Sequence, residues 1–196
     1  SKENSIKEKF KQALISTVKV ISEDYKINID NKKNFDEKSL QIGEIENIND
    51  KNQFKKLRAE TDSEALKIKF SNKKIFEKNM PKNPSCQNLY KISEKIRYEM
   101  LGSKMLKGVS KNFEDNYKNK LTSLSSKKIL NKDDTNINDA FEIYMLNKFF
   151  KIEINKENKK ILDFWNEEFI QSFDKHINYL NENLENQDLY NSKFSE

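Results

Sequence analysis

Apolar side chains recur every three or four residues near the start of the chain and predict a long amphipathic helix. The positions that form this stripe are Ile6, Phe10, Ala13, Leu14, Thr17, Val18, Ile21 and Tyr25. Lysines and glutamates fill the positions between them, as on the solvent face of a helix. Ser5 is the predicted N-cap, because Glu8 follows three residues later and completes a capping box. The pattern predicts about six turns of helix.

The helical period then gives way to a short alternation of apolar and polar residues. The alternating runs are Ile27-Asn28-Ile29 and Leu40-Gln41-Ile42, and the segment 31–38 between them is polar. Alternation with a period of two is typical of strands. Because each run is only three residues long, the sequence predicts at most one short β-hairpin near 27–42.

Two further helices are predicted in the middle of the chain. The first is capped by Asp50 and ends near Ser71, and its apolar face carries Phe54, Leu57, Thr61, Ala65 and Leu66. The second starts at Pro84 after the cap Asn83, since proline suits the first turn of a helix. Its apolar positions are Leu89, Ile92, Ile96, Met100 and Leu101. The pattern leaves open whether this helix continues past Gly102 and Gly108, because each glycine costs about 1 kcal/mol in a helix interior.

The last third of the chain is predicted to hold a surface loop at 122–135, two helices and a polar tail. The first helix is capped by Asn136 or Asn138, and a long final helix begins near Asn155. The apolar face of the final helix carries Leu162, Trp165, Phe169, Phe173, Ile177, Leu180 and Leu184. The predicted fold is therefore mainly α, a single helical domain of five or six amphipathic helices over 1–185. Residues 186–196 are expected to be a loosely docked polar tail that leads to a C-terminal region absent from this chain.

Composition narrows the class of protein. Charged residues make up 35% and hydrophobic residues 35% of the 196 positions. The longest uncharged apolar stretches, such as Ala13-Leu14-Ile15, fall far short of the roughly 20 residues that a transmembrane helix needs. The single cysteine, Cys86, cannot form an internal disulfide, and no secretory signal pattern is present. We therefore expect a protein of the cytoplasm.

Charge is unevenly distributed along the chain. Residues 1–130 carry 29 basic and 18 acidic side chains, and residues 131–196 carry 8 and 14. The two parts either attract each other or face different partners. A basic helical module that binds nucleic acid is the alternative function, although only Arg58 and Arg97 are arginines and phosphate-binding surfaces usually cluster arginine.

Searches for catalytic and metal-binding patterns find little. The chain has one histidine, His176, one cysteine and only three glycines. Nucleotide-binding loops need glycines, nucleophile pairs need a base beside the thiol, and transition-metal sites need several converging ligands. We therefore assign no catalytic, cofactor-binding or metal-binding residue to this chain.

Two polar segments stand out. Arg58 and Glu60 lie in the first, residues 57–66, and the second, residues 95–113, contains Arg97, Glu99 and Gly102. The more common arrangement of such residues is an ion-pair network between helices, worth about 0–1 kcal/mol per exposed pair. The alternative is an arginine-containing groove for an acidic or carboxylate-bearing partner.

These segments, in this order, resemble the N-terminal region of the cobaltochelatase CobT subunit. The resemblance extends over most of the chain but includes no catalytic signature. It is carried by FKQALISTVKVI (10–21), LRAETDSEALKIKF (57–70), IRYEMLGSKMLKGVSKNF (96–113), and NDAFEIYMLNKFF through ILDFWNEEFI (138–170).

The resemblance implies a part in aerobic cobalamin biosynthesis. In that family, ATP-dependent insertion of cobalt into hydrogenobyrinic acid a,c-diamide uses a large tetrapyrrole-binding subunit, an AAA+ ATPase subunit and the CobT subunit. The family chain continues through an acidic linker into a von Willebrand factor A domain with an Asp-x-Ser-x-Ser metal motif, which this sequence lacks. We therefore expect a non-catalytic N-terminal domain that binds no cofactor itself, in a complex that uses ATP, magnesium and cobalt.

The resemblance also gives candidate contact residues. Arg58, Glu60, Arg97, Glu99 and Gly102 match patterned positions of the family. We expect them to form one contact surface for the AAA+ and large subunits, without a catalytic step.

Overall fold

The structure, a computed structural model, describes residues 1–23, 28–29, 39–40, 43 and 45–195. Its fold is mainly α, as predicted. The helices are α1 Lys2–Ser22, α2 Lys51–Phe70, α3 Lys73–Lys78, α4 Pro84–Met105, α5 Lys107–Ser125, α6 Ile137–Met145, α7 Lys156–Asp163, α8 Asn166–Phe173, α9 Ile177–Glu182 and α10 Gln187–Ser192. Short 3₁₀ turns lie at Lys132–Asp134 and Asp174–His176, and a π turn at Leu146–Phe150 extends α6.

Side-chain caps fix the starts of several helices. The side chains of Asp50, Asn83, Asn136 and Asn155 each accept a backbone N–H from the first turn of the helix that follows. The prediction for α1 is wrong, because Ser1 caps it, accepting from Asn4 N at 3.3 Å. None of residues 2–4 is a proline or a glycine, so the helix extends back to the cap at Ser1.

The predicted hairpin is not confirmed. The backbones of Asn28–Ile29 and Ser39–Leu40 pair in parallel, with Asn28 opposite Ser39. A hairpin would pair them antiparallel. The other residues of the predicted hairpin lie outside the described residues.

The predicted count of five or six helices is not confirmed either, because two long helical patterns are interrupted. At Leu106 the backbone becomes extended, with φ −136° and ψ 115°, so α4 ends and α5 begins as a separate helix. The predicted final helix is divided into α7, α8 and α9. The loop predicted at 122–135 also starts later, since α5 continues to Ser125.

The core lies where the helices cross. One region is formed by α1 against α2, and α2 against α4 and α5, and it buries Leu14, Val18, Leu66 and Phe113. The other surrounds α6, whose Phe141 meets the rings of Phe169 and Phe173. None of the described helices is both long and apolar enough to cross a membrane.

The segment predicted as a polar tail contains a packed helix in the structure. Residues 187–192 form α10, in which Gln187, Tyr190 and Asn191 are buried. The tail looks polar in the sequence because its buried side chains are held by hydrogen bonds as well as by apolar contacts.

Candidate functional site

The five candidate contact residues do not share one surface. Arg58 and Glu60 are exposed on α2, whereas Arg97, Glu99 and Gly102 are buried along α4. The physical reason is that α4 is covered on more than one side. Helices α2, α5 and α6 pack against it, and the C-terminal segment hydrogen-bonds to its polar residues.

Arg97 and Glu94 form an ion pair inside the protein. Their side chains are only 1% and 4% exposed, and Arg97 Nε lies 2.5 Å from Glu94 Oε1. Arg97 Nη2 donates to Phe70 O and Nη1 to Leu184 O, both at 2.7 Å. Phe70 is the last residue of α2 and Leu184 follows α9. The guanidinium therefore satisfies carbonyl groups that helix ends leave without a partner.

Glu94 has partners beyond Arg97. Ser71 Oγ donates to its Oε2 at 2.7 Å, and Asn191 Nδ2 donates to its Oε1 at 3.1 Å. Both carboxylate oxygens are thus bound by neutral donors as well as by the guanidinium. Such saturation is what allows a buried ion pair to persist despite the cost of removing it from water.

Glu99 is a buried carboxyl group that accepts hydrogen bonds from two hydroxyl groups. Ser63 Oγ donates to its Oε2 at 2.6 Å, and the Tyr117 hydroxyl donates to its Oε1. Burial raises the pKa of Glu99, although Lys95 and the two hydroxyl donors act against that rise. Burial also raises the pKa of Tyr117 well above its usual value, so this hydroxyl keeps its proton. Glu99 thereby joins α2, α4 and α5.

The raised pKa of Glu99 predicts a specific dependence of stability on pH. Below the unfolded pKa of a glutamate, about 4.3, the carboxyl group is protonated in both states and does not lower the free energy of unfolding. As pH rises toward the folded pKa, the unfolded chain releases this proton first, and stability falls by about 1.4 kcal/mol per pH unit. We expect Glu99→Gln to remove this pH dependence. The free energy of unfolding of the variant, measured with urea, should therefore increase relative to that of the native protein as pH rises above 4.3.

The exposed neighbour Glu64 provides the matched control for this experiment. Glu64→Gln lies on α2 at the surface and should follow the pH profile of the native protein. A difference between Glu99→Gln and the native protein that stays constant with pH would show that the pKa of Glu99 is the same in the folded and unfolded states.

A second buried carboxyl group lies on α2. Asp62 accepts from Asn112 Nδ2 at 3.1 Å, and its Oδ1 is buried without a hydrogen-bond partner. Burial raises the pKa of Asp62, while Asn112 and Arg58 act in the opposite direction. Arg58, on the surface of α2, therefore slightly favours the ionised form of Asp62.

Gly102 marks the closest approach of α4 to α2. A Cβ atom there would lie 2.3 Å from Leu66 Cδ1 and 2.5 Å from Cδ2. Leu66 is fully buried, so its side chain cannot move aside into solvent. Gly102 therefore has a packing role in this structure.

Sequence reasoning missed several members of these networks. Glu94 was detectable, because it lies one turn before Arg97 on the same helix face. Ser63 and Tyr117 carried a weaker signal, since each falls on a largely apolar helix face where a polar group needs a partner.

A cleft of about 440 Å³ lies beside Arg97. Its lining residues are Phe70, Arg97, Leu101, Lys104, Met105 and Glu185. Across the part of the chain that the structure describes, no group of three or more His, Cys, Asp and Glu side chains is arranged to hold a metal ion. Cys86 is exposed near the start of α4.

Comparison with known proteins places the chain in a family. No curated protein and no solved structure matches it. The family model described as cobalamin biosynthesis protein CobT matches residues 4–196, which include all the described helices except the first two residues of α1. The chain therefore belongs to the CobT family, that of a cobaltochelatase subunit, and this membership implies a role in cobalamin biosynthesis.

Proposed function

We propose that this chain is a non-catalytic contact domain of an ATP-dependent, cobaltochelatase-like complex. In this proposal it supports cobalt insertion into hydrogenobyrinic acid a,c-diamide by binding the AAA+ subunit and the large tetrapyrrole-binding subunit. ATP, magnesium and cobalt are then handled elsewhere in the complex. Family membership supports the pathway.

The observation that carries the proposal is that the buried polar groups bind one another within the domain. Arg97 and Glu94 saturate each other and nearby carbonyl and amide groups, and Glu99 is held by two hydroxyls. These side chains connect helices to one another. A catalytic group needs a free position facing a substrate, whereas each of these is already bound within the domain.

The exposed side of α2 is the surface that we propose for partner contact. Lys51, Lys55 and Arg58 are exposed there, and their spacing of three and four residues places them on one face of the helix. Lys56 and Glu60, which form a loose ion pair with a distance of 3.8 Å, lie on the opposite face of α2. The excess of positive charge suits an acidic partner surface and accelerates association with it.

Replacement of the exposed arginine tests this surface. We expect Arg58→Ala to weaken binding to the partner subunit about tenfold, equivalent to about 1.4 kcal/mol, because a cation is lost from the contact. Isothermal titration of the purified chain against each subunit measures the effect. Lys156→Ala, exposed on α7, is the matched control and should bind like the native chain.

Two results would contradict the proposal. Absence of binding between the native chain and either subunit would remove the contact function. Equal weakening by Arg58→Ala and Lys156→Ala would place no special contact on α2.

We also propose that the protein acts in the cytoplasm. Cys86 is an exposed free thiol, which suits a reducing compartment.

A further inference from the structure

The polar face of α4 is covered by the end of the chain. Tyr90, Ser93, Glu94 and Arg97 are spaced three and four residues apart, so they lie in one row along the helix. All four are buried. Segment 184–194, which contains α10, supplies hydrogen-bond partners to Ser93, Glu94 and Arg97.

Much of the attachment of this segment is polar. Gln187 Oε1 accepts from Asn72 N at 2.7 Å, and Gln187 Nε2 donates to Asn72 O at 3.1 Å. Asp188 accepts from Lys78 Nζ at 2.9 Å and from Asn79 Nδ2 at 2.8 Å. Water can replace each of these partners when the segment moves away, so separation leaves few polar groups unsatisfied.

Aromatic contacts add to this attachment at the far end. The Tyr190 hydroxyl lies 2.8 Å from Ser93 Oγ, and its ring meets Phe149 and Phe194. Leu189 is 43% exposed, so the leucine of α10 contributes little to docking. A helix of six residues has little stability of its own, and its order depends on these contacts.

Packing is incomplete where the segment begins. The cleft of about 440 Å³ is lined by Arg97 and Leu101 from α4 and by Glu185 from the segment. The helix before it ends at Glu182, and Asn186 caps α10. The residues between these helices therefore form a turn with open space beside it.

We propose that residues 184–194 are a latch over the polar face of α4, and that the latch opens while the rest of the domain stays folded. The opened face then contacts a partner subunit through Glu94 and Arg97. The inference rests on the proposed contact function. The partner segment that fits is uncharged and polar, because it replaces Leu184 O as an acceptor for Arg97 and the Asn191 amide as a donor to Glu94.

This arrangement gives Arg97 two successive roles. In the closed state it satisfies the carbonyl of Leu184. In the open state it keeps Glu94 and the carbonyl of Phe70 and presents the freed donor to the partner. Arg97 is a contact candidate in the sequence but is buried in the structure. It therefore becomes available for contact only after the latch opens.

Hydrogen exchange of the full chain measures the opening directly. We expect the hydrogen-bonded amides of α10 to be protected at least about 100-fold less than those in the middle of α4, because the latch opens without global unfolding. Asn191→Asp sets a carboxylate against Glu94 and should lower α10 protection by about another tenfold, with α4 unchanged. Asp188→Ala, which removes only the Lys78 and Asn79 contacts, is the milder second variant. Leu189→Ala is the matched control on the exposed side of α10.

Binding to the partner subunits measures the consequence. If opening precedes contact, the apparent Kd falls by the same factor as the α10 protection in each latch variant. Equal protection of α10 and α4 overturns the latch, even where the native chain binds. Lower protection with an unchanged Kd overturns the role of the latch in contact. Absence of binding by the native chain overturns that role together with the proposed function, whereas the exchange data still report the opening.

Discussion

Arg97→Ala is expected to destabilise the protein by about 3–5 kcal/mol, the range for removing one partner of a buried ion pair. The change leaves the Glu94 carboxylate buried with only Ser71 and Asn191 as donors. It also removes the donor groups that bind the carbonyls of Phe70 and Leu184. Urea unfolding followed by circular dichroism measures the loss.

The two arginines of the chain make the control straightforward. Arg58 is exposed, and Arg58→Ala should change stability by no more than about 0.5 kcal/mol. The double variant Glu94→Leu/Arg97→Met should be less destabilised than Arg97→Met alone, because no charge stays buried without its partner. Equal effects of Arg58→Ala and Arg97→Ala would contradict the structural role of the ion pair.

Gly102→Ala is expected to destabilise the protein by about 1–3 kcal/mol, as overpacked cores do. The added Cβ would meet the Leu66 side chain at three atoms closer than 3.0 Å. Because Leu66 is buried, its side chain would have to shift within the core or α4 and α2 would have to move apart. The measurement is again the free energy of unfolding.

A second glycine separates packing from helix propensity. Gly108 lies in α5 with nothing within 4 Å of its Cβ position, so Gly108→Ala should stabilise the protein by up to about 1 kcal/mol. Leu66→Ala should make Gly102→Ala less harmful than it is in the native background, since the two residues share one contact. Stabilisation by both glycine variants would show that α4 and α2 pack less closely than the structure indicates.

Periodicity and caps predicted much of the helical framework. The starts of α2 and α4 follow from Asp50 and from Asn83 with Pro84, because their side chains satisfy the free N–H groups of a first turn. The interruptions were not predictable in the same way. The apolar pattern continues through Leu106 and through Trp165, although the backbone leaves the helix near both residues. Periodicity reports which face is buried and carries little information on where the axis bends.

The candidate residues show a second limit of the sequence. The sequence places Arg97 and Glu99 in one polar segment, yet each binds different partners in the structure. Their burial depends on the C-terminal segment and on Tyr117, which are distant in the sequence. A charged helix face usually faces solvent, so only tertiary contacts could reveal that this one is covered.

Crosslinking mass spectrometry of the assembled complex tests the proposed contact function most directly. Lys51 and Lys55 lie on the same exposed face of α2 as Arg58. We predict crosslinks from these lysines to the AAA+ or the large subunit, and their loss when that subunit is left out. Crosslinks confined to lysines within this chain, under conditions in which the other two subunits crosslink to each other, would contradict a contact domain.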